Sequence, residues 1–178
     1  MKAFSVLFEE QESPVIEYNG KTVYRFLNCT TAGTYNFKFR NVSTNSKRGQ
    51  YIDFHIDMVG EIYINDIWTP IPKRKFPQIV LKCDKLTEDF SLKIILKGGD
   101  FGLCNADNEG DEEDIYVDSL IFGLAMTIDR LENGWFRLNC NDRENDDDFD
   151  DLVFEMKVEN ENGIVDIIEE WKPKYPEQ

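Results

Sequence analysis

Residues 51–58 read Tyr-Ile-Asp-Phe-His-Ile-Asp-Met (YIDFHIDM), and this stretch decides the fold class of the 178-residue chain. Every second residue from Ile52 to Met58 is apolar, and the residues between them are mostly polar. Strict alternation over this length is typical of a β-strand with one buried face, because successive side chains of a strand point to opposite sides. The stretch therefore predicts a half-buried strand.

The same alternation recurs along the chain. Its apolar positions are Tyr35, Phe37 and Phe39; Phe90, Leu92, Ile94 and Leu96; Phe136, Leu138 and Cys140; and Leu152, Phe154, Met156 and Val158. Turn-forming residues separate the segments, at Asn19-Gly20, Ala32-Gly33, Lys47-Arg48-Gly49, Gly98-Gly99 and Asn133-Gly134. About nine strands at short spacing, without intervening long helices, predict an all-β fold. We expect one antiparallel β-sandwich or jelly-roll domain over residues 1–178.

A short helical pattern closes the sequence. Ile164, Ile167 and Ile168 are followed by Trp171 at the spacing of one helix face, and Pro173 would end the helix. We expect a short helix or a final strand that covers the sandwich, with a partner-binding helix as the alternative.

Charge is unevenly distributed. The net charge is −15, but residues 1–100 hold 12 acidic and 14 basic side chains, whereas residues 101–178 hold 23 acidic and 6 basic ones. A chain this acidic is a poor match for nucleic acid or an anionic membrane, which need clustered Lys and Arg. No apolar run reaches the roughly 20 residues of a transmembrane helix. No signal peptide is visible either, because Glu9 and Glu10 interrupt the first apolar run.

The four cysteines are widely spaced, at Cys29, Cys83, Cys104 and Cys140, and the chain has one histidine. No zinc-type spacing is present. We expect four buried free thiols, and the alternative is two disulfides outside the cell.

Most of the acidic side chains of residues 101–178 lie in two runs. The first run comprises Asn105, Asp107, Glu109, Asp111, Glu112, Glu113, Asp114 and Asp118. The second comprises Asp142, Glu144, Asp146, Asp147, Asp148, Asp150 and Asp151, and it leads directly into the strand at Leu152. Either run can be a solvated loop. The first run begins like an EF-hand loop, but its twelfth position is Tyr116 where that motif has a bidentate Glu. We therefore reject an EF-hand.

The second run predicts a cation site. Two carboxylates about 5 Å apart repel by roughly 3 kcal/mol at an effective dielectric constant of about 20. Oxygen ligands on a flexible loop, without a usable His or Cys, favour Ca²⁺. The expected ligands are Asp142, Asp146, Asp148, Asp150 and Asp151. If the two runs lie at one end of the sandwich, further ligands come from Asn105, Asp107, Glu109, Asp111 and Asp114.

The stretch NDRENDDDFDDLVFEM resembles the acidic loop and following strand of calcium-mediated bacterial lectins, whose motif is E-D-G-x-D-x-D-Y-N-D. It is also similar to the aspartate-rich ending of some secreted bacterial β-sandwich domains. In the lectins this loop holds two adjacent Ca²⁺ ions that coordinate sugar hydroxyls. The resemblance places the first Glu of the motif on Asp142, its three Asp ligands on Asp146, Asp148 and Asp151, its Asn on Asp150, and its Tyr on Phe149.

Two departures from the lectin pattern bear on this likeness, which covers about 15 residues. A neighbouring chain's terminal carboxylate completes the lectin site, whereas the present chain continues past Asp151 to Gln178. Asp150 also adds a negative charge where the lectins have Asn.

Signals of catalysis are weak. His55 lies on the polar face of its predicted strand, where we expect an exposed, non-catalytic role. No nucleophile elbow, P-loop or dinucleotide motif is present, and no carboxyl group stands in an evidently apolar setting. Trp68, in a loop-like segment before Pro70, is a candidate for stacking on a sugar ring, with ordinary packing as the alternative.

Together these features predict a non-enzymatic, calcium-binding recognition module that is lectin-like and carbohydrate-binding, with a glycan or a protein as its partner. One alternative is a calcium-stabilised structural or self-assembling protein, which would form a homo-oligomer. A second alternative is a small glycan-active enzyme on a jelly roll. A calcium site favours an extracellular or cell-surface location, since cytosolic Ca²⁺ would leave a weak site mostly empty.

Overall fold

The computed structural model describes residues 2–108, 124–142 and 146–174, together with the backbone of a two-residue strand at 115–116. Two α-helices occur in these residues, α1 (Phe4–Glu10) and α2 (Ile167–Glu170). The strands there are β1 (Val15–Tyr18), β2 (Lys21–Tyr24), β3 (Leu27–Cys29), β4 (Gly33–Thr44), β5 (Gly49–Ile64), β6 (Ile67–Thr69), β7 (Gln78–Lys82), β8 (Leu92–Asn108), β9 (Ile115–Tyr116), β10 (Ala125–Arg130), β11 (Phe136–Asn141), β12 (Leu152–Asn160) and β13 (Gly163–Ile164). Short 3₁₀ turns lie at Cys83–Lys85 and Glu132–Gly134.

All strand pairs described are antiparallel, so the predicted all-β antiparallel fold is confirmed. The hydrogen-bonded order is β1-β2-β10-β11-β12-β4-β8-β5-β6, with β3 and β9 on β8, β7 on β5 and β13 on β12. The longest pairing runs from Gly49 opposite Asn108 to Ile64 opposite Leu92 and joins β5 to β8.

The sheet folds over its own inner face and forms a sandwich. The Asn105 side chain in β8 donates to the carbonyl of Asn141 in β11 at 2.8 Å, although β12 and β4 lie between these strands in the sheet. The alternating apolar residues predicted from the sequence line this interior. Ile52, Phe54 and Ile56 of β5 are all buried in one large cluster that also contains side chains of β4, β8, β11 and β12.

Two details of the strand prediction are wrong. Tyr51 and Asp53 are buried although they alternate with Ile52, because both faces of this part of β5 are covered. Gly98-Gly99 does not form a turn but lies inside β8, opposite Val59 and Met58 and next to the register shift between Val59 and Gly60. Gly99 has φ +77°, and a Cβ atom there would meet the carbonyl oxygen of Asp57, which explains why glycine occupies this bulge. The Asn19-Gly20 turn between β1 and β2 is confirmed.

The C-terminal segment covers the core as expected, but its helix is shorter than the pattern suggested. Helix α2 begins after Asp166, whose carboxylate caps it by accepting from the Glu169 N–H at 3.3 Å. Ile164 is half exposed in β13 and does not belong to the helix. Trp171 is buried, and its ring packs against those of Phe37 and Phe101 at 5.8 and 5.4 Å.

Helix α1 was not predicted from the sequence. It forms a second, smaller apolar cluster in which Phe4 and Phe8 meet Ile16, Val23 and Phe149. Among the described residues, neither helix is long and apolar enough to cross a membrane. Among the described residues the four cysteines form no disulfide, as expected; Cys29, Cys104 and Cys140 are buried, whereas Cys83 is only half buried.

Candidate metal centre

The second acidic run forms the connection between β11 and β12, which end and begin at Asn141 and Leu152. The backbone N–H of Asp142 donates to the Asp151 carboxylate at 2.7 Å. This bond joins the first and last residues of the connection, which we call the acidic loop (residues 142–151, described at 142 and 146–151). The loop therefore starts and ends at one point on the sandwich.

Three carboxylates of the acidic loop come together. Asp146, Asp148 and Asp151 each contribute one carboxylate oxygen to a group whose members all lie within 4.8 Å of one another. Asp151 is buried with 3% of its surface exposed, Asp146 is half buried and Asp148 is exposed. The cluster thus reaches from the edge of the core to the surface, and it can hold a metal ion.

The other described residues of the acidic loop contact neighbouring segments of the protein. Asp147 accepts hydrogen bonds from the Tyr18 hydroxyl at 3.2 Å and from the Asn19 amide at 3.4 Å. Asp150 accepts from the Asn45 amide at 2.9 Å. Phe149 is buried, with its ring 5.3 Å from that of Phe4. These contacts fix the loop to the β1–β2 turn, to the end of β4 and to helix α1.

Phe149 takes a left-handed backbone conformation, with φ +57°. This conformation is uncommon for a bulky residue and must be stabilised by its surroundings. Burial against Phe4 supplies that stabilisation, and the Lys21 ammonium lies 5.3 Å from the Phe149 ring centre. The turn at Phe149 lies between Asp148 and Asp151, so it contributes to bringing their carboxylates together.

The local electrostatics disfavour the ionised form of these carboxyls. Burial, reinforced by the charges of Asp142, Asp146 and Asp148, raises the pKa of Asp151 to about 7. The pKa of Asp148 is also raised, first by the partial desolvation of its carboxylate and then by the charges of Asp146 and Asp150. Protonation or the binding of a cation would therefore stabilise these carboxyl groups.

Of the five residues predicted to bind the ion from the second run, the structure brings Asp146, Asp148 and Asp151 into one group. Asp150 bonds to Asn45 as described. Asp142 accepts from the Ser46 hydroxyl at 2.6 Å and from the Gln50 amide at 3.3 Å, so it lies on the inner side of the loop.

The start of the first run lies against the second run. Asn105 and Asp107 are buried in β8, and the Asn105–Asn141 hydrogen bond joins the two segments. Glu109, Asp111 and Asp114 lie outside the described residues.

An open groove of about 500 Å³ borders the three-carboxylate cluster at Asp148. Its other lining residues are Gly20, Lys21, Thr22, Tyr24, Thr127, Ile128, Asp129, Asn139, Phe149 and Ile168. The Asn139 amide donates to Asp129 at 2.9 Å and to Thr127 at 3.3 Å, which holds these polar groups in place. The groove therefore presents ordered hydroxyl, amide and carboxylate groups beside the candidate metal position.

Trp68 lies away from this groove. It belongs to strand β6 instead of a loop, pairs with Tyr63, and is 59% exposed. Gln50, which contacts the acidic loop, stands thirteen residues before Tyr63 on β5, about 40 Å at the usual rise per strand residue. Any ligand role of Trp68 would therefore concern a second surface.

Two buried polar residues were not predicted from the sequence: Gln50, which contacts the acidic loop, and Asp53, which is not shown to belong to the site. Gln50 stands two residues before Ile52 and four before Phe54, so it points to the same buried face of β5. A polar residue at such a position is the one sign of its role that the sequence offers. Asp53, on β5, is a buried carboxyl, which the sequence did not reveal. Burial raises its pKa to about 7, although its contact with Cys104 acts in the opposite direction. His55 is exposed as expected.

Comparison of the chain with protein-family models, with curated proteins and with solved structures found no match.

Proposed function

We propose that this protein is a non-enzymatic, calcium-binding recognition module whose acidic loop binds carbohydrate through the metal. The observation that carries the proposal is the group formed by Asp146, Asp148 and Asp151, whose carboxylate oxygens lie within 4.8 Å of one another beside an open polar groove. The lectin resemblance of the same loop supports this assignment.

Calcium suits the chemistry of the cluster. All three side chains offer carboxylate oxygens, which are hard ligands, and Ca²⁺ accepts six to eight oxygens in a flexible geometry. Since Asp148 is exposed, part of the ion's coordination shell would face solvent and remain open to ligand oxygens. Binding would also offset the burial of negative charge, and the repulsion, that raise the pKa of Asp151.

A sugar suits the groove for two reasons. Vicinal hydroxyls can replace water on an exposed Ca²⁺, and Thr127, Asp129 and Asn139 supply donors and acceptors for further hydroxyl groups. The half-buried side chain of Ile168 adds apolar surface against which the carbon face of a sugar can pack.

Glycan-array binding with Ca²⁺ and with EDTA tests this function. We expect binding that chelator abolishes and that Asp148→Asn eliminates, while Asp89→Asn, an exposed control outside the loop, retains it. Glycan binding that persists in EDTA would contradict the metal-mediated mechanism.

A second candidate function is a structural one, in which Ca²⁺ stiffens the loops or promotes self-assembly. It is favoured by the contacts of Asp147 with Tyr18 and of Asp150 with Asn45, because an ion held by this loop would tie several chain segments together. Light scattering separates the candidates: a calcium-dependent increase in mass without any glycan binding supports the structural role.

A further inference from the structure

We propose that the groove beside the candidate metal centre selects sugars that carry a carboxylate group, and that Lys21 recognises this group. The inference rests on the proposed function and narrows its ligand to acidic carbohydrate, such as a glycan with a uronic acid or a sialic acid residue. The sugar carboxylate binds Ca²⁺ and the Lys21 ammonium together, and the sugar hydroxyls bond to the other polar groups of the groove.

The position of Lys21 is determined by contacts on both sides of Asp148. Lys21 begins strand β2 and stands directly opposite Tyr18 in the β1–β2 hairpin. The Tyr18 hydroxyl donates to Asp147 at 3.2 Å, and the Lys21 ammonium lies 5.3 Å from the ring centre of Phe149. Lys21 and Asp148 both line the groove. A positive charge therefore stands on the side of the carboxylate cluster that is open to a ligand.

The charge of Lys21 is not neutralised by the protein. Its side chain is exposed, and in the part of the chain that the structure describes no carboxylate forms an ion pair with it. Two acidic residues nevertheless line the same groove, Asp129 and Asp148. The ammonium lies over the Phe149 ring instead, a contact that leaves its N–H donors available. Lys21 can therefore bind an anionic group of a ligand.

The charges around a bound ion allow a ligand carboxylate at this point. One Ca²⁺ together with Lys21 supplies as much positive charge as the three clustered carboxylates supply negative charge. Carboxylate oxygens are preferred ligands of Ca²⁺, and one carboxylate has two oxygens. One oxygen can bind the ion while the other accepts from the Lys21 ammonium, in a hydrogen bond roughly twice as strong as a neutral one. A neutral sugar makes neither of these charged contacts.

The remaining groove residues call for hydroxyl groups. Asp129 accepts from the Asn139 amide at 2.9 Å, and as a carboxylate it has further lone pairs for ligand donors. It repels an anion but can accept hydrogen bonds from sugar hydroxyls, and Thr127 offers a hydroxyl of its own. The groove thus combines a group that binds an anion with groups that bind hydroxyls. Acidic sugars carry both kinds of group on one molecule.

Binding of matched glycan pairs to the calcium-loaded full chain tests the inference. Each pair consists of an acidic glycan and the same glycan after chemical reduction of its carboxyl group to a primary alcohol. We expect the acidic member to bind about tenfold more tightly or better, which is the effect of one hydrogen bond between charged groups. Equal affinity for the two members would overturn the inference and leave the proposed function intact. A chain that binds neither member in Ca²⁺ contradicts both.

Variants of Lys21 assign the selectivity to its charge. Lys21→Met keeps an apolar stem against Phe149 and removes the ammonium, so its affinity for the acidic glycan should fall to that for the reduced one. Lys21→Arg should keep the preference. Lys38→Met, the same exchange at an exposed position of β4 outside the groove, is the matched control and should behave as the wild type. A preference that persists in Lys21→Met would overturn the role of Lys21.

Two further measurements complete the test. Calcium titration without glycan should give Lys21→Met an affinity equal to or above that of the wild type, because a positive charge near the ion is removed. A tenfold loss of Ca²⁺ affinity would show that Lys21 supports the loop and would contradict direct recognition. On the array, sulfated neutral glycans that bind more tightly than carboxylated ones would overturn the assignment of the carboxylate.

Discussion

The Asp151 carboxylate accepts a 2.7 Å hydrogen bond from the backbone N–H of Asp142, so a single side chain closes the acidic loop and also belongs to the three-carboxylate cluster. Hydrogen bonds to a carboxylate are stronger than neutral ones. Asp151 is therefore the residue at which loop structure and metal binding are coupled, and two substitutions can separate the two roles.

Asp151→Asn should preserve loop closure, because the amide oxygen can still accept from Asp142, but it removes one charged ligand. We expect the Ca²⁺ affinity to fall by roughly 10- to 100-fold, the range typical of a perturbed metal site. In EDTA, its Tm should equal or exceed that of the wild type, because repulsion with Asp146 and Asp148 is relieved. Asp151→Ala loses both roles and should melt lower in EDTA. Calorimetry and thermal melts distinguish the pair; equal Tm values for the two variants would contradict a closing role.

Phe149→Ala removes the ring that supports the left-handed turn of the acidic loop. Truncating a buried Phe costs about 3–5 kcal/mol, and the loss of support should also weaken Ca²⁺ binding. Phe4→Ala is the matched control, since it deletes the partner ring from helix α1 without changing a loop residue. We expect a similar fall in Tm for both variants and a larger loss of affinity for Phe149→Ala. Equal affinities would show that the turn does not depend on its own side chain.

Asp53 should make stability depend on pH. Its folded pKa is raised to about 7, mainly by burial, against about 3.9 for an unfolded Asp. For an acid with a raised pKa, the folded state binds the proton more tightly, so its contribution is complete below about pH 4 and disappears as the pH rises through about 7.

Asp53→Asn removes this titration, so its Tm relative to wild type should increase between pH 5 and pH 8. Saturating Ca²⁺ keeps the acidic loop in one state during the melts. Asp89→Asn, which changes an exposed carboxyl, should show no such trend. A constant Tm difference between Asp53→Asn and wild type would contradict the prediction.

Asn139→Ala should separate sugar binding from metal binding. The Asn139 amide orders Asp129 and Thr127 in the groove and is not among the clustered carboxylates. We expect glycan affinity to fall by about tenfold, the loss of about 1.4 kcal/mol that one hydrogen bond can account for, while the Ca²⁺ stoichiometry is unchanged. Asn36→Ala, an exposed change on β4, is the control. Unchanged glycan affinity in Asn139→Ala would exclude the groove as the sugar site.

The fold class could be read from residues such as Ile52, Phe54 and Ile56, because strand periodicity is local and a buried face requires apolar side chains at every second position. The prediction of a turn at Gly98-Gly99 was wrong. A glycine pair is compatible with a turn or with a bulge, and only the pairing of β8 with β5 selects the bulge.

Only part of the candidate metal site could be predicted from the sequence. A crowded carboxylate run is visible in any sequence, and Asp146, Asp148 and Asp151 were among the residues singled out. Asp150 was grouped with them, since spacing alone cannot show that Asn45 lies within reach of its carboxylate. Gln50 and Asn141 carry no charge and so gave no signal of this kind.

The all-β fold and the place in the chain where acidity concentrates both follow from the order of neighbouring residues. Which carboxylates meet, and which buried amides contact the start of the acidic loop, depends on how distant segments pack together. Those contacts join β5, β8 and β11, which are far apart in the chain. Their geometry follows from strand register and from the folding of the sheet over its own inner face, and no local pattern encodes either one.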